Sequence, residues 1–445
     1  MNKIGKYLFI LMLMLTFGCN AIANPENLSP TQGDSTMESD QPVESSVLVK
    51  SELARELSPQ VDPDALLQIA KDNTAFAFSF YDQYDHSQEN IIFSPISLSL
   101  ALSMTLGGAE GSTEQAMMDA LRHSLSEEEV HQAFNALLLA IEESQSSTME
   151  DSQGSQFQLN IANSIWGQSG FNFKPSFLDK LAVNYGSGLF NVDFSQNTEA
   201  AREAINQWVE DETQGKITNL IPQGAINSLT RLVLANAIYF NGSWLYPFNE
   251  TGTSEGLFTT LDGSKINVDM MKLNGESFSY SAGDNYQAIS LPYFSEDFSM
   301  IVIVPREGEF AEFRNWLTAE SYQQIINELE YETINLQLPK FNIDTSISAN
   351  DILINLGMGE AFDPDLADFS GMTDEEKLYI TNVLQKATIT VDEEGTEAAA
   401  ATAVVMGIKS APAQPISLVI DRPFFFFIQH QPTGSILFMG QVTEP

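Results

Sequence analysis

Between Thr388 and Asp421 the chain carries one basic side chain, Lys409, although it has 20 Lys and Arg in all against 60 Asp and Glu. A trypsin-like protease, with an acid at the base of its specificity pocket, has one bond to choose there, Lys409–Ser410. The residues ahead of that bond follow an odd pattern. Glu394-Gly395-Thr396-Glu397 leads into four alanines, Ala398, Ala399, Ala400 and Ala401, and then into Thr402-Ala403-Val404-Val405-Met406-Gly407-Ile408. Read with a period of two, Thr396, Ala398, Ala400, Thr402, Val404 and Met406 share one small or apolar face, while Glu397 and Lys409 fall on the other. Alanine runs favour helix, so an alanine-rich surface helix is the competing reading. Against it stand Gly407, Pro412 and the strand-favouring Thr402, Val404 and Val405. A segment able to be both exposed loop and strand is a candidate switch.

Other chemistry is sparse. There is no G-x-S-x-G elbow, and His86, His123, His131 and His430 have no HExxH or similar ligand spacing. Paired acids such as Asp363 and Asp365 read as solvated surface in so acidic a chain. Cys19 is the only cysteine, which rules out an internal disulfide and zinc sites built on cysteine pairs. The residues therefore point away from an enzyme and toward a protein that needs no metal or cofactor. A formal net charge of −40 also repels nucleic acid and anionic lipid.

The elements that must position the switch come after an export signal. Lys3 and Lys6 precede an apolar run from Tyr7 to Phe17, too short to span a bilayer. Two exits stay open. Ala21-Ile22-Ala23 would end a signal peptide of residues 1–23. Leu15-Thr16-Phe17-Gly18-Cys19 resembles a bacterial lipobox, which would remove residues 1–18 and put a lipid anchor on Cys19, the one expected membrane contact. Either way the protein leaves the cytoplasm, for the cell envelope or the outside. Residues 24–64 lack aromatics and are rich in Ser, Pro and acids, so a disordered tether is expected there. From Ala65 onward the pattern is dense. Helices are expected near 95–107, 112–123, 127–143, 174–184 and 199–213. Strands are expected at Leu232–Phe240, Phe298–Val304, Ile334–Leu338, Ala387–Val391, Phe424–Ile428 and Ile436–Val442. Helices first and strands later argue for an α+β domain, taken as one unit over 65–445.

Several segments, in order, resemble the serpin family of protease inhibitors. Glu394-Gly395-Thr396-Glu397 with its alanines resembles the proximal hinge of the serpin reactive-centre loop. Leu418-Val419-Ile420-Asp421-Arg422-Pro423-Phe424-Phe425-Phe426-Phe427-Ile428 resembles the C-terminal signature. Asn90-Ile91-Ile92-Phe93-Ser94-Pro95-Ile96-Ser97, Leu356-Gly357-Met358, Ala367-Asp368-Phe369-Ser370-Gly371-Met372 and Leu437-Phe438-Met439-Gly440 are further matches. Asn236-Ala237-Ile238-Tyr239-Phe240-Asn241-Gly242-Ser243-Trp244 resembles the strand ending at the family's breach tryptophan.

The resemblance implies helices packed on a large central sheet with further smaller sheets, and an exposed loop over about 394–415. With Gly395 as the first residue of the segment, family spacing makes the fifteenth, Lys409, the residue before the cut. A shift of one would make Ile408 or Ser410 the determinant. The implied protein is a monomeric suicide substrate that traps a trypsin-like serine protease as a covalent acyl-enzyme while the cleaved loop inserts into the sheet. A non-inhibitory serpin-fold binding protein and an inhibitor of a cysteine protease are the alternatives. The loop is expected to be exposed before cleavage, Thr396 included. One departure stands out: Gln385-Lys386-Ala387 replaces the family's usual His-Lys-Ala, so Ser94, Ser97, Asn236 and Gln385 are expected to form an altered shutter.

Overall fold

A computed structural model of the chain describes residues 46–84, 89–146, 157–375, 377–396 and 414–445. Cys19, the signal segment and residues 24–45 of the expected tether lie outside the described residues. So do Glu397, Ala398, Ala399, Ala400, Ala401, Thr402, Lys409 and Ser410.

Helices dominate the first half: α1 (Pro63–Gln83), α2 (Pro95–Leu106), α3 (Gly111–Ala120), α4 (Glu127–Ser146), α5 (Pro175–Tyr185) and α6 (Phe194–Glu212). The start of α2 is set by its sequence. Pro95 occupies the first turn, where its missing N–H costs nothing, and Ser94 Oγ accepts from Ser97 N at 3.3 Å. Every residue of α2 is buried, because it runs beneath a sheet and has no solvent face. Three of the four histidines brace α4 from buried positions. His131, on α4, meets Glu127 Oε1 at 2.7 Å and Tyr185 Oη at 2.6 Å. His430 Nε2 lies 3.0 Å from Ser144 Oγ, and the His123 ring meets Phe134 edge-on.

The seven-stranded sheet has the order β1-β4-β3-β5-β13-β12-β11. Its strands are β1 (Val47–Val49), β3 (Phe157–Gln168), β4 (Leu189–Val192), β5 (Leu232–Ser243), β11 (Phe341–Ser348), β12 (Ile380–Val391) and β13 (Gly395–Thr396). A second sheet takes β2 (Ile91–Phe93), β6 (Ser254–Thr259), β7 (Lys265–Ala282), β8 (Tyr286–Pro292), β9 (Phe298–Pro305), β10 (Glu330–Pro339), β14 (Ile416–Val419), β15 (Phe424–His430) and β16 (Ser435–Val442). The long β7 links these strands into one nine-stranded sheet.

The four consecutive phenylalanines of β15 follow the period of two. Phe425 and Phe427 enter one apolar cluster and Phe424 and Phe426 the other, so a single strand is a wall of both cores. Each buried ring contributes about 1.5–3 kcal/mol relative to exposure.

The expected boundary at residue 65 is corrected by the structure. The described part of the compact unit begins at residue 46 and runs to Pro445, and residues 46–62 are an ordered arm rather than tether. Val47–Val49 pair antiparallel with Leu189–Asn191 of β4. Arg55 Nε then donates to Asn135 Oδ1 at 2.8 Å, and Glu56 N to the Val183 carbonyl at 2.9 Å. Backbone pairing and these two polar anchors offset the ordering cost that the arm's small apolar area could not.

Candidate functional site

The centre of the seven-stranded sheet is split. Parallel pairing of β5 with β12 runs from Leu232 opposite Ile380 up to Ile238 opposite Ala387, and stops. Beyond that point the next strand partner of both is the two-residue β13. Gly395 pairs with Ser243, and Thr396 pairs with Gly242 on one side and Val391 on the other. Between Val391 and Gly395 the chain reverses in a tight turn, in which Asp392 Oδ1 accepts from the N–H groups of Glu394 and Gly395 at 3.0 and 3.2 Å. The next residues, 397–413, lead from this gap to β14, which pairs in parallel with β10 in the other sheet.

Thr396 therefore already sits inside the sheet. It is 0 % exposed, and its Oγ1 lies 2.8 Å from Tyr293 Oη. This corrects the expectation that Thr396 is exposed before cleavage: a turn after β12 returns the chain directly into the mouth of the split. Gly395 is required by close approach, since a Cβ there would run into the Gly242 carbonyl oxygen and lie 2.8 Å from Ser243 Cα.

Trp244 holds this end together, where the resemblance placed a breach residue. Its ring stacks on Tyr293 at 4.7 Å and 9°, its Nε1 donates to the Asp392 carbonyl at 3.0 Å, and its backbone N–H to the Glu394 carbonyl at 2.9 Å. Burial pushes the Tyr293 hydroxyl far above its ordinary value, so it stays protonated. Glu393 is buried beneath the turn. Burial alone would raise its carboxyl, but hydrogen bonds from Lys340 Nζ at 2.5 Å and Thr253 Oγ1 at 2.6 Å outweigh that and hold it below its usual range. Glu394 moves the other way: burial, with Asp392, Glu250 and Glu393 nearby, raises it.

Lower in the split, the expected shutter residues come together over the start of α2. Gln385 forms a two-point clasp on Ser94: the Ser94 N–H donates to Oε1 and Nε2 donates to the Ser94 carbonyl, both at 2.9 Å. Asn236 is the strand partner of Gln385 across the β5–β12 seam, and Asn163 is the partner of Asn236 on β3. Ser97 Oγ lies 2.7 Å from Asn163 Oδ1 and 3.3 Å from Asn236 Oδ1. One hydroxyl proton cannot serve both oxygens, and the amide nitrogens of Asn163 and Asn236 have no acceptor.

Sequence reasoning missed Asn163, Tyr293, Glu393 and Lys340. Asn163 had a signal, an Asn-Ser pair inside an otherwise apolar run. The others acquire a role only through the turn that seats Thr396.

The family model described as "Serpin (serine protease inhibitor)" matches residues 71–445. An uncharacterized serpin-like protein of Thermococcus kodakarensis is 34 % identical over 444 residues, 99 % of each chain. Plasminogen activator inhibitor 1 of Bos taurus is 37 % identical over 362 residues, 80 % of this chain and 87 % of that one. The crystal structure of the thermophilic serpin tengpin in its native state aligns with a TM-score of 0.77 at 28 % identity, covering 90 % of this chain and 100 % of that chain. With the family model matching residues 71–445 and a relative 34 % identical over 99 % of both chains, the chain belongs to the serpin family.

Proposed function

We propose that this serpin is a single-use inhibitor of trypsin-like serine proteases with Lys409–Ser410 as its bait bond. The observation that carries the reading is the seating of Gly395 and Thr396 between β5 and β12, which gives insertion a first step already taken. The protease serine would attack the Lys409 carbonyl carbon, forming an ester and releasing the Ser410 amine. Water must then hydrolyse the ester to free the enzyme. Before it does, residues 397–409 would follow Thr396 into the split, a mode of strand addition known in this family. A fifteen-residue strand carries the tethered protease about 50 Å. New ladder bonds at roughly 1 kcal/mol each, with burial of the small face, supply on the order of ten kcal/mol to distort its active site. Ala398, Ala400 and Thr402 suit passage into a closing sheet because they are small.

The test is a covalent complex of the full chain with trypsin that survives boiling in detergent. Lys409→Glu should abolish it while leaving the melting temperature unchanged. A chain that folds but forms no complex with any trypsin-like or cysteine protease belongs among the non-inhibitory members.

A further inference from the structure

The segment that holds the bait bond rejoins the described chain at β14, where Ile416 pairs with Ile334 of β10. Ser410 lies six residues ahead of Ile416, a chain length that reaches about 20 Å at most. A protease domain of about 200 residues is roughly 40 Å across. With its cleft on Lys409–Ser410, such a globule brings its rim over the strand ends beside Ile416, on the side that receives the residues after the cut.

Those strand ends are open. Residues 330–333 of β10 pair with β7 on one side, from Glu330 opposite Tyr280 to Thr333 opposite Ser277. On the other side no described strand covers them, because β14 begins only opposite Ile334. Tyr331 is 80 % exposed there, between the exposed Glu330 and Glu332. Glu276 stands opposite Ile334 on β7, and Phe278, the partner of Glu332, meets the Tyr246 ring edge-on at 5.7 Å. Burial raises the Tyr246 hydroxyl, and Glu276, Glu296 and Tyr331 close by raise it further.

No cation of these strands balances the acids. Residues 241–264, 273–305 and 315–339, which supply β6, the later part of β7, β8, β9 and β10, contain no Lys or Arg. The lysines that border them are engaged elsewhere: Lys272 Nζ donates to Ser254 Oγ at 2.7 Å, and Lys340 pairs with Glu393.

We propose that this shelf, Tyr331 with Glu276, Glu330 and Glu332, is a second docking surface for the target protease. It favours trypsin-like enzymes that carry lysine or arginine on the rim of the cleft facing it. An exposed ring between carboxylates fits an arginine, which stacks on the one and pairs with the other. Opposite charge across such a rim acts chiefly on the rate of association. A second copy of this acidic chain would meet like charge. The proposal rests on the bait reading and adds to it which enzymes are met fastest.

The test offers the full chain to two trypsins, one with a basic and one with an acidic surface, and follows loss of intact chain by cleavage at Lys409–Ser410. That rate reads docking whether or not the enzyme is then trapped, and covalent complex is counted separately. At low salt the basic enzyme should engage the wild type about tenfold faster than the acidic one, and high salt should shrink the preference. Glu330→Lys with Glu332→Lys should remove most of it. The same change of net charge on α6, Glu203→Lys with Glu210→Lys, should leave it nearly intact. All four glutamates are exposed, so the variants keep the fold. Tyr331→Ala should slow engagement by the basic enzyme about threefold. Equal engagement of the wild type by the two enzymes, a preference that survives Glu330→Lys with Glu332→Lys, or one lost equally in the α6 variant would each overturn the proposal. If neither trypsin cuts at Lys409–Ser410, the bait reading has failed. The shelf is then judged by equilibrium binding of the basic trypsin with its reactive serine replaced by alanine, where undiminished binding to Glu330→Lys with Glu332→Lys overturns it.

Discussion

Replacing Thr396 by arginine tests both the resting seat of the hinge and the insertion that follows from it. Thr396 is 0 % exposed and shares its hydroxyl with buried Tyr293. If the arginine stayed in place it would bury an unpaired charge, at a cost of several kcal/mol or more. Expulsion of β13 is cheaper. It leaves the Tyr293 hydroxyl unpaired, about 1–3 kcal/mol, and forfeits the few ladder bonds of two residues at roughly 1 kcal/mol each. The smaller cost wins, so the uncleaved variant should lose about 3–5 kcal/mol. For a unit of this size that lowers the melting temperature by about 3–5 °C, at roughly 1 °C per kcal/mol. After cleavage at Lys409 the same arginine blocks the mouth of the split, so hydrolysis should outrun insertion. Thr396→Arg should then be consumed by trypsin as a substrate, with active enzyme released. The assays are scanning calorimetry before and after cleavage, and the number of inhibitor molecules used per protease inactivated. Wild-type trapping by Thr396→Arg, or an unchanged melting point before cleavage, would refute the seated-hinge mechanism.

Gln385→Ala should cost about 1–3 kcal/mol in urea unfolding, because the buried Ser94 N–H loses its acceptor while the Ser94 carbonyl keeps the Leu98 N–H. A loss below 0.5 kcal/mol, taken as about half the smallest expected penalty, would mean that the clasp is not what closes the seam. Acid should weaken the fold through its buried histidines. Burial lowers His430 to about 4 despite Asp297, and burial with His131 lowers His123 to about 3. Below 6.5 the unfolded chain takes up these protons and the folded one does not, so stability falls with pH by about 1.4 kcal/mol per unit per histidine until the folded values are reached. His430→Gln should flatten that slope between pH 6.5 and 5, and an unchanged slope would show that His430 does not contribute. Labelled fatty acid should enter the wild type in a lipoprotein-processing host and not Cys19→Ala; a mature chain starting at Asn24 without lipid would mean ordinary secretion.

The helices and the paired strands of the split were readable because each is a long run with a single period. β5 is buried along its whole length and apolar on either side of Asn236, and β12 alternates from Gln385 onward. β3 was not readable. Its polar residues Gln158, Asn160, Asn163 and Ser164 fall on both faces, which blurs the alternation, and it interrupts a run of helices. The arm escaped for a different reason: Val47–Val49 is too short to show a period, and the partners of Arg55 lie some eighty residues away in sequence. The shutter residues were legible only through the family resemblance, by Gln385 standing where the family has His, and the clasp between Gln385 and Ser94 spans two elements and needed coordinates. How deep the hinge sits is a matter of one turn, Asp392 to Gly395, and nothing in its residue types distinguishes a turn outward from a turn inward.

The short strand β1 has a consequence for aggregation. An open sheet edge is a template for a stranger's strand, and the outer edge of the seven-stranded sheet at β4 would otherwise present unpaired N–H and C=O groups to solvent. Three residues of the arm cover that edge, and Lys50 follows them directly. A three-residue strand ending in a charge is a poor platform for further growth. The far edge, β11, turns Asn342, Asp344, Ser346 and Ser348 outward, with Asp344 facing Lys386 at 3.5 Å. With both margins blunted, the one open position of this sheet among the described residues is the interior split, whose mouth Gly395 and Thr396 already occupy.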